Sequence, residues 1–170
     1  DDDQIASPDM LAAYAAAWRE TGADALFGPI HAEAETNGAA PEWILRYHCR
    51  EARSEDRPFI AHRHAAWLGT SNSLFVRSTC LPNGETFEED LGEIGGEDSL
   101  LLRQLVRQGR RFAWVDGAIV RERVSPERLR PGFVRWRRFR SGQIRTLTCL
   151  RLAPPRPLEA GLWMAIGAAQ

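Results

Sequence analysis

Short apolar runs alternate with helical repeats along this chain, and the alternation constrains the fold more than any other feature. A strand buries its residues within a few positions, whereas a helix returns to one face about every 3.6 residues. Interleaved, the two patterns call for an α/β layer architecture in which helices flank a sheet. Ser7-Pro8-Asp9 suits a helix start, with Ser7 as cap, Pro8 in the first turn and Asp9 against the dipole. Leu11, Tyr14, Ala15 and Trp18 then share a face, and Gly22 supplies the stop. Residues 25–30 read as a buried strand interrupted by Gly28-Pro29, and residues 31–40 as a flexible polar loop. Helical spacing returns over residues 41–52 through Trp43, Ile44, Tyr47 and Arg50, before an irregular charged stretch over 54–64.

Residues 73–76 read as a strand, Leu81-Pro82-Asn83-Gly84 as a turn, and 87–93 as an acidic loop or short helix. Gly95-Gly96 precedes the strongest helix, residues 97–108, carried by Leu100, Leu101 and Leu105 and ended by Gly109. Residues 112–115 and 118–124 read as paired strands around Asp116-Gly117. Pro131 then starts an arginine-rich, aromatic helix. The apolar stretch 158–169 is shorter than the roughly 20 residues of a spanning helix, and reads as a packed terminal helix in preference to an interfacial or truncated membrane segment.

The chain has 170 residues, 44% of them hydrophobic and 26% charged, which suits one domain or a large part of one. That composition excludes a disordered acidic tail, a collagen-like repeat and a disulfide-stapled miniprotein. Cys49, Cys80 and Cys149 are widely spaced and fit a reducing compartment better than a zinc motif. All 22 cationic side chains are arginine. Residues 1–120 hold 11 arginines against 20 acids, and residues 121–170 hold 11 against 3. An acidic body with a basic end suits a site where a cation meets an anionic ligand, although the two halves also pair with each other.

Three clusters can carry chemistry. In Asp1-Asp2-Asp3, alternate carboxylates on extended chain point to one side, so Asp1 and Asp3 can share a hard divalent cation, Mg or Mn. A solvated acidic surface gives the same pattern. In Gly95-Gly96-Glu97-Asp98, the glycines permit close backbone approach, and one acid at the helix start can serve as a general base; dipole complementarity also accounts for one acid. Arg128, Arg130, Arg135, Arg137, Arg138 and Arg140 are interleaved with Phe133, Trp136 and Phe139, a patch able to grip a diphosphate, nucleic acid or an anionic membrane. A solvated basic face over an aromatic stripe competes with that reading. His62 and His64 alternate as on one side of a strand, and Asn72 stands where it can orient a ligand hydroxyl or make a turn.

Taken in order, these segments resemble the family 2 glycosyltransferases, in the bacterial exopolysaccharide branch of succinoglycan-biosynthesis type. Asp1-Asp2-Asp3 with Pro8-Asp9-Met10-Leu11 resembles the family's metal-binding Asp-x-Asp turn and helix, and Phe27-Gly28-Pro29 the strand that follows. Residues 70–77, beginning Thr70-Ser71-Asn72, are similar to its Thr-Gly-Asn strand, with Ser71 in place of glycine. Phe87-Glu88-Glu89 with Gly95-Gly96-Glu97-Asp98 resembles its acceptor-side acidic motif, and residues 128–142 its basic stretch. Arg135-Trp136 matches the processive signature in part, but Gly132 replaces its polar residue, which favours transfer of a single sugar.

The resemblance implies a GT-A-like mixed sheet flanked by helices, lacking the N-terminal nucleotide-binding half. Residues 1–145 would be the C-terminal part of the catalytic domain, and 146–170 a helical or membrane-proximal extension. It implies inverting, metal-dependent transfer, of hexosyltransferase type, from a nucleotide-diphospho-sugar to a glycan or lipid-linked acceptor in cell-surface polysaccharide synthesis. Asp98 would be the base, with Glu97 orienting the acceptor or tuning Asp98. Asn72, Gly95 and Gly96 would shape the substrate pocket. Arg135, Trp136 and Arg138 would hold the diphosphate, and Asp1 and Asp3 the cation. The expected location is cytoplasmic, at the inner face of the membrane, with no nucleic-acid partner and with the isolated piece inactive. Two other classes compete: a non-catalytic anion-binding module using residues 121–156, and a different metal-dependent enzyme such as a phosphotransferase or nuclease.

Overall fold

Strand β2 (Ala25–Phe27) is buried at every residue because it is the middle of a three-stranded sheet with layers on both faces. Its neighbours are β4 (Ser73–Phe75), antiparallel, and β5 (Phe112–Trp114), parallel. The structure, a computed structural model, describes residues 3–35, 40–65, 68–82, 87–88, 91 and 95–168. Side chains alternate across the sheet as the pleat requires. Ala25, Phe27, Phe112 and Trp114 face a core completed by Leu102 and Leu105 of α5 (Glu97–Arg107). Leu26 and Ala113 face the opposite core, closed by Tyr14 of α1 (Met10–Thr21).

The chain leaves this sheet for a second one at two adjacent points. After β2 it continues into β3 (Ile30–Ala34), and after β5 into β6 (Val120–Val124). These two strands pair in parallel, and β1 (Gln4–Ala6) lies antiparallel on the other side of β6. Residues 31–34, read from sequence as loop, are therefore strand. Residues 112–115 and 118–124 do not pair with each other. Asp116-Gly117 and Gly28-Pro29 are crossings between sheets, and a partner about 90 residues away leaves no local pattern to read. Gly28 is required at the crossing: a Cβ there would lie 2.1 Å from the Ala118 carbonyl oxygen.

The helices differ from the sequence reading in detail. Helix α1 turns Met10, Ala13, Tyr14 and Ala17 inward and leaves Leu11 and Trp18 exposed. At its start the Ser7 carbonyl, not the hydroxyl, accepts the Met10 N–H, while Gly22 ends it at φ 57°. Helix α2 (Glu42–His48) stops earlier than residue 52, because Cys49 turns extended and Arg50 forms a bridge to Ile30. Residues 58–60 run along the free side of β5, so the charged stretch is partly sheet edge. His62 and His64 stand on the short helix α3 (His62–Ala65) and not on a strand. Helix α4 (Arg77–Cys80) follows β4. Helix α6 (Pro131–Arg151) runs unbroken across residue 145 and packs along α7 (Pro157–Ala168). Among the described residues no helix is long and apolar enough to cross a membrane.

Candidate functional site

The twin glycines start α5 against the middle of α6. Gly95 and Gly96 take φ 79° and 107°, and a Cβ on Gly96 would lie 2.7 Å from Ile144 Cγ2. Their freedom thus serves the approach of two helices and brings Glu97 and Asp98 to the wall of a cleft of about 410 Å³. Gly69, Arg137, Arg140 and Arg145 complete that wall. Asp98 is clasped by one residue: the Thr70 hydroxyl donates to Oδ1 at 2.7 Å and the Thr70 N–H to Oδ2 at 3.1 Å. A carboxylate has about four lone-pair sites, so two donors leave acceptor capacity on Asp98. Glu97 Oε2 is buried and finds no hydrogen-bond partner among the described residues.

The arginines that reach this cleft are not the pair singled out from sequence. Arg137, Arg140, Ser141 and Ile144 form its helical stripe on α6. Arg135, Trp136 and Arg138 do not line it. Arg138 lies over the Tyr47 ring at 5.6 Å, and Trp136, half exposed, carries Arg140 over its face at 5.2 Å. Spacing on α6 contains the signal for Arg137 and Arg140, at i, i+3, i+4 and i+7 with Ser141 and Ile144. Which face turns inward is decided by the packing of α5 on α6.

Asn72 has a different surrounding. At φ 42° it occupies the left-handed region that asparagine tolerates. Its side-chain N–H groups donate to the Pro29 and Ala118 carbonyls, both at 2.8 Å, across the crossing between sheets. Its Oδ1 and carbonyl accept from the Tyr14 hydroxyl at 2.8 and 2.7 Å. Arg50 adds its guanidinium, donating to the carbonyls of Asn72 at 2.7 Å, Gly28 at 2.9 Å and Leu68 at 2.6 Å. Burial pushes Arg50 down to about 10 and pushes Tyr14 well above the ordinary tyrosine value. At neutral pH Arg50 stays cationic and Tyr14 neutral. Sequence reading placed Arg50 on a helix face and missed this role.

Asp3 extends the β1–β6 ladder, its carbonyl accepting the Arg123 N–H. Its carboxylate pairs with Arg128 at 2.8 Å, and Arg128 also holds Glu122 at 2.6 Å. Glu122 is a buried acid on β6 that sequence reading did not single out. Asp1 lies outside the described residues. No cluster of three or more His, Cys, Asp or Glu able to hold a metal occurs among the described residues. Asp3 offers hard oxygen donors, and the cation they meet here is Arg128. A second cleft, about 420 Å³, is lined by Gln4, Tyr14, Thr70 and Asn72, so the residue after Asp3 and the residue clasping Asp98 share one hollow. His64 donates from Nδ1 to Asp56 at 2.6 Å while its Nε2 faces Arg53 and Arg63.

The chain is 33% identical over 147 residues to the succinoglycan biosynthesis protein ExoM of Rhizobium meliloti (strain 1021). The alignment covers 84% of this chain and 44% of that protein, so the chain spans less than half the length of this relative. No family model matches the chain. No solved structure matches it either.

Proposed function

We propose that this chain carries the acceptor side of a glycosyltransferase of bacterial exopolysaccharide synthesis, with Asp98 as general base. One observation carries the reading: Asp98, clasped by Thr70, shares a cleft wall with Glu97, Arg137 and Arg140. Similarity to a succinoglycan biosynthesis protein supports the same direction. The acceptor hydroxyl gives its proton to Asp98 as its oxygen attacks the anomeric carbon. The bond from that carbon to the diphosphate breaks on the opposite face, which inverts the configuration. Arg137 and Arg140 neutralise charge growing on the leaving diphosphate. Glu97 Oε2 accepts a hydrogen bond from a second acceptor hydroxyl, giving a buried oxygen the partner it lacks among the described residues.

A divalent cation held by Asp3, with Asp1, would supply Lewis-acid neutralisation of the diphosphate. A peripheral place at the inner membrane face belongs to the same reading, since Leu158, Leu162 and Met164 stand exposed on α7.

The test uses the full-length protein with a nucleotide-sugar donor and an acceptor glycan. Asp98→Asn is expected to lower transfer by about 10²–10⁴ while donor binding is retained. Normal turnover by that variant rejects the assignment. Equal donor affinity with and without Mn rejects the metal part alone.

A further inference from the structure

A third cavity, of about 350 Å³, lies between α3, α5, α6 and α7 and shares only Arg145 with the cleft around Asp98. Arg63, Arg103, Arg107, Arg145 and Arg156 line it, and Glu159 is its one carboxylate among the described residues. Glu159 is already shared between Arg103 and Arg156, the latter at 2.9 Å. Arg107 donates to the Pro154 carbonyl at 3.1 Å, and Arg63, on the protein surface, meets Glu55 at 3.6 Å and donates to His64 Nε2 at 3.2 Å. Trp163 closes one wall, with Arg145 over its ring at 4.7 Å.

Five guanidinium groups from four separate segments are therefore folded around one concave space. Burial and the like charge of Arg103 both push Arg145 below the ordinary arginine value, the sign of cations crowded together. Low-dielectric walls focus such a field into the cavity. Planar guanidinium forks match phosphate oxygens in pairs, and the one carboxylate described in the lining balances only part of their charge. The space is a hollow and not a track, so it suits a compact phosphate head rather than a nucleic-acid backbone.

We infer that this cavity binds a phosphate-bearing anion, a free diphosphate or a lipid headgroup, at a site separate from the cleft around Asp98. The inference stands on the cavity itself and does not require the transferase reading.

The full-length protein is titrated calorimetrically with sodium diphosphate and, separately, sedimented with vesicles of phosphatidylglycerol or phosphatidylcholine. Arg107→Gln/Arg156→Gln is expected to weaken binding by about tenfold or more. The cleft around Asp98 is also proposed to meet diphosphate, so Arg137→Gln/Arg140→Gln is expected to weaken that component alone and to leave the component sensitive to Arg107 and Arg156 in place. Glu159→Gln is expected to tighten binding, because it removes the competing carboxylate, and a misfolded variant cannot mimic a gain. Diphosphate binding lost in the first variant identifies a free-anion site; retention on phosphatidylglycerol alone, lost in the same variant, identifies a headgroup site. Absence of binding to either probe overturns the inference. So does binding indifferent to the first variant, or, where that variant does not fold, binding that Glu159→Gln leaves unchanged or weaker.

Discussion

Two polar regions lie close together and are built on opposite principles. At the crossing between sheets, Tyr14, Arg50 and Asn72 spend their hydrogen bonds inside the molecule, on backbone carbonyls of the two strand ends and on one another. Along α6, the cleft of Asp98 holds a buried carboxylate oxygen without a partner among the described residues and several arginines around one wall. An interior network that is complete rigidifies a fold, whereas one left incomplete is available to a ligand. Thr70 joins the two regions, bordering the hollow that Asn72 lines while clasping Asp98. The difference separates residues that hold the cleft in place from residues proposed to act in it.

Substitutions at the crossing are expected to have the largest effect on stability. Asn72→Ala strands the Ala118 carbonyl, leaves the Pro29 carbonyl with the Val120 N–H alone and takes away a Tyr14 partner, so a loss of about 2–3 kcal/mol is expected in urea denaturation. A loss below about 0.5 kcal/mol breaks the contrast, because it makes the network dispensable. Gly28→Ala comes next: its methyl meets the Ala118 backbone, and about 1–3 kcal/mol of strain is expected from the same measurement.

Glu97→Gln sharpens the comparison from the other side. Stability is expected to stay within about 0.5 kcal/mol, since Oε2 of Glu97 has no hydrogen-bond partner among the described residues, while sugar transfer falls in a rate assay. A fall in melting temperature without a fall in rate would move Glu97 into the structural set.

The smallest effect concerns His48, which is half-buried and touches the Arg128 carbonyl at 3.3 Å. Burial, opposed by that carbonyl, holds its pKa below the ordinary histidine value. The unfolded chain therefore binds a proton more readily than the folded one. Stability is full above about pH 6.5 and declines as pH falls from there through the folded pKa. Replacing His48 with Gln should flatten that part of a stability–pH profile.

Legibility followed the range of the interaction. Helix α5 and its glycine start were readable because a 3.6-residue pattern is local, and β2 because three apolar residues sit together. The end of α2 was not, since Arg50 leaves the helical pattern to reach carbonyls of residues 28, 68 and 72. Strand β3 was hidden because its residues alternate His31, Glu33 with small alanines, and only β6 supplies its ladder. Within the candidate site, the position of Asp98 after two glycines was visible, and its partner Thr70 lay in a segment already singled out. That Arg137 and Arg140, and not Arg135 and Arg138, line the cleft was not.

What the chain's own order of residues determined is the kind of element at most positions, the acid pair behind Gly95-Gly96, and a basic C-terminal third. Tertiary structure alone decided where the chain changes sheets, which stripe of α6 faces Asp98, and that Asp3 meets Arg128. The reason is physical. Helix and turn preferences act over a few residues, whereas parallel pairing, helix rotation and ion pairing are settled by groups far apart in sequence that fold into contact.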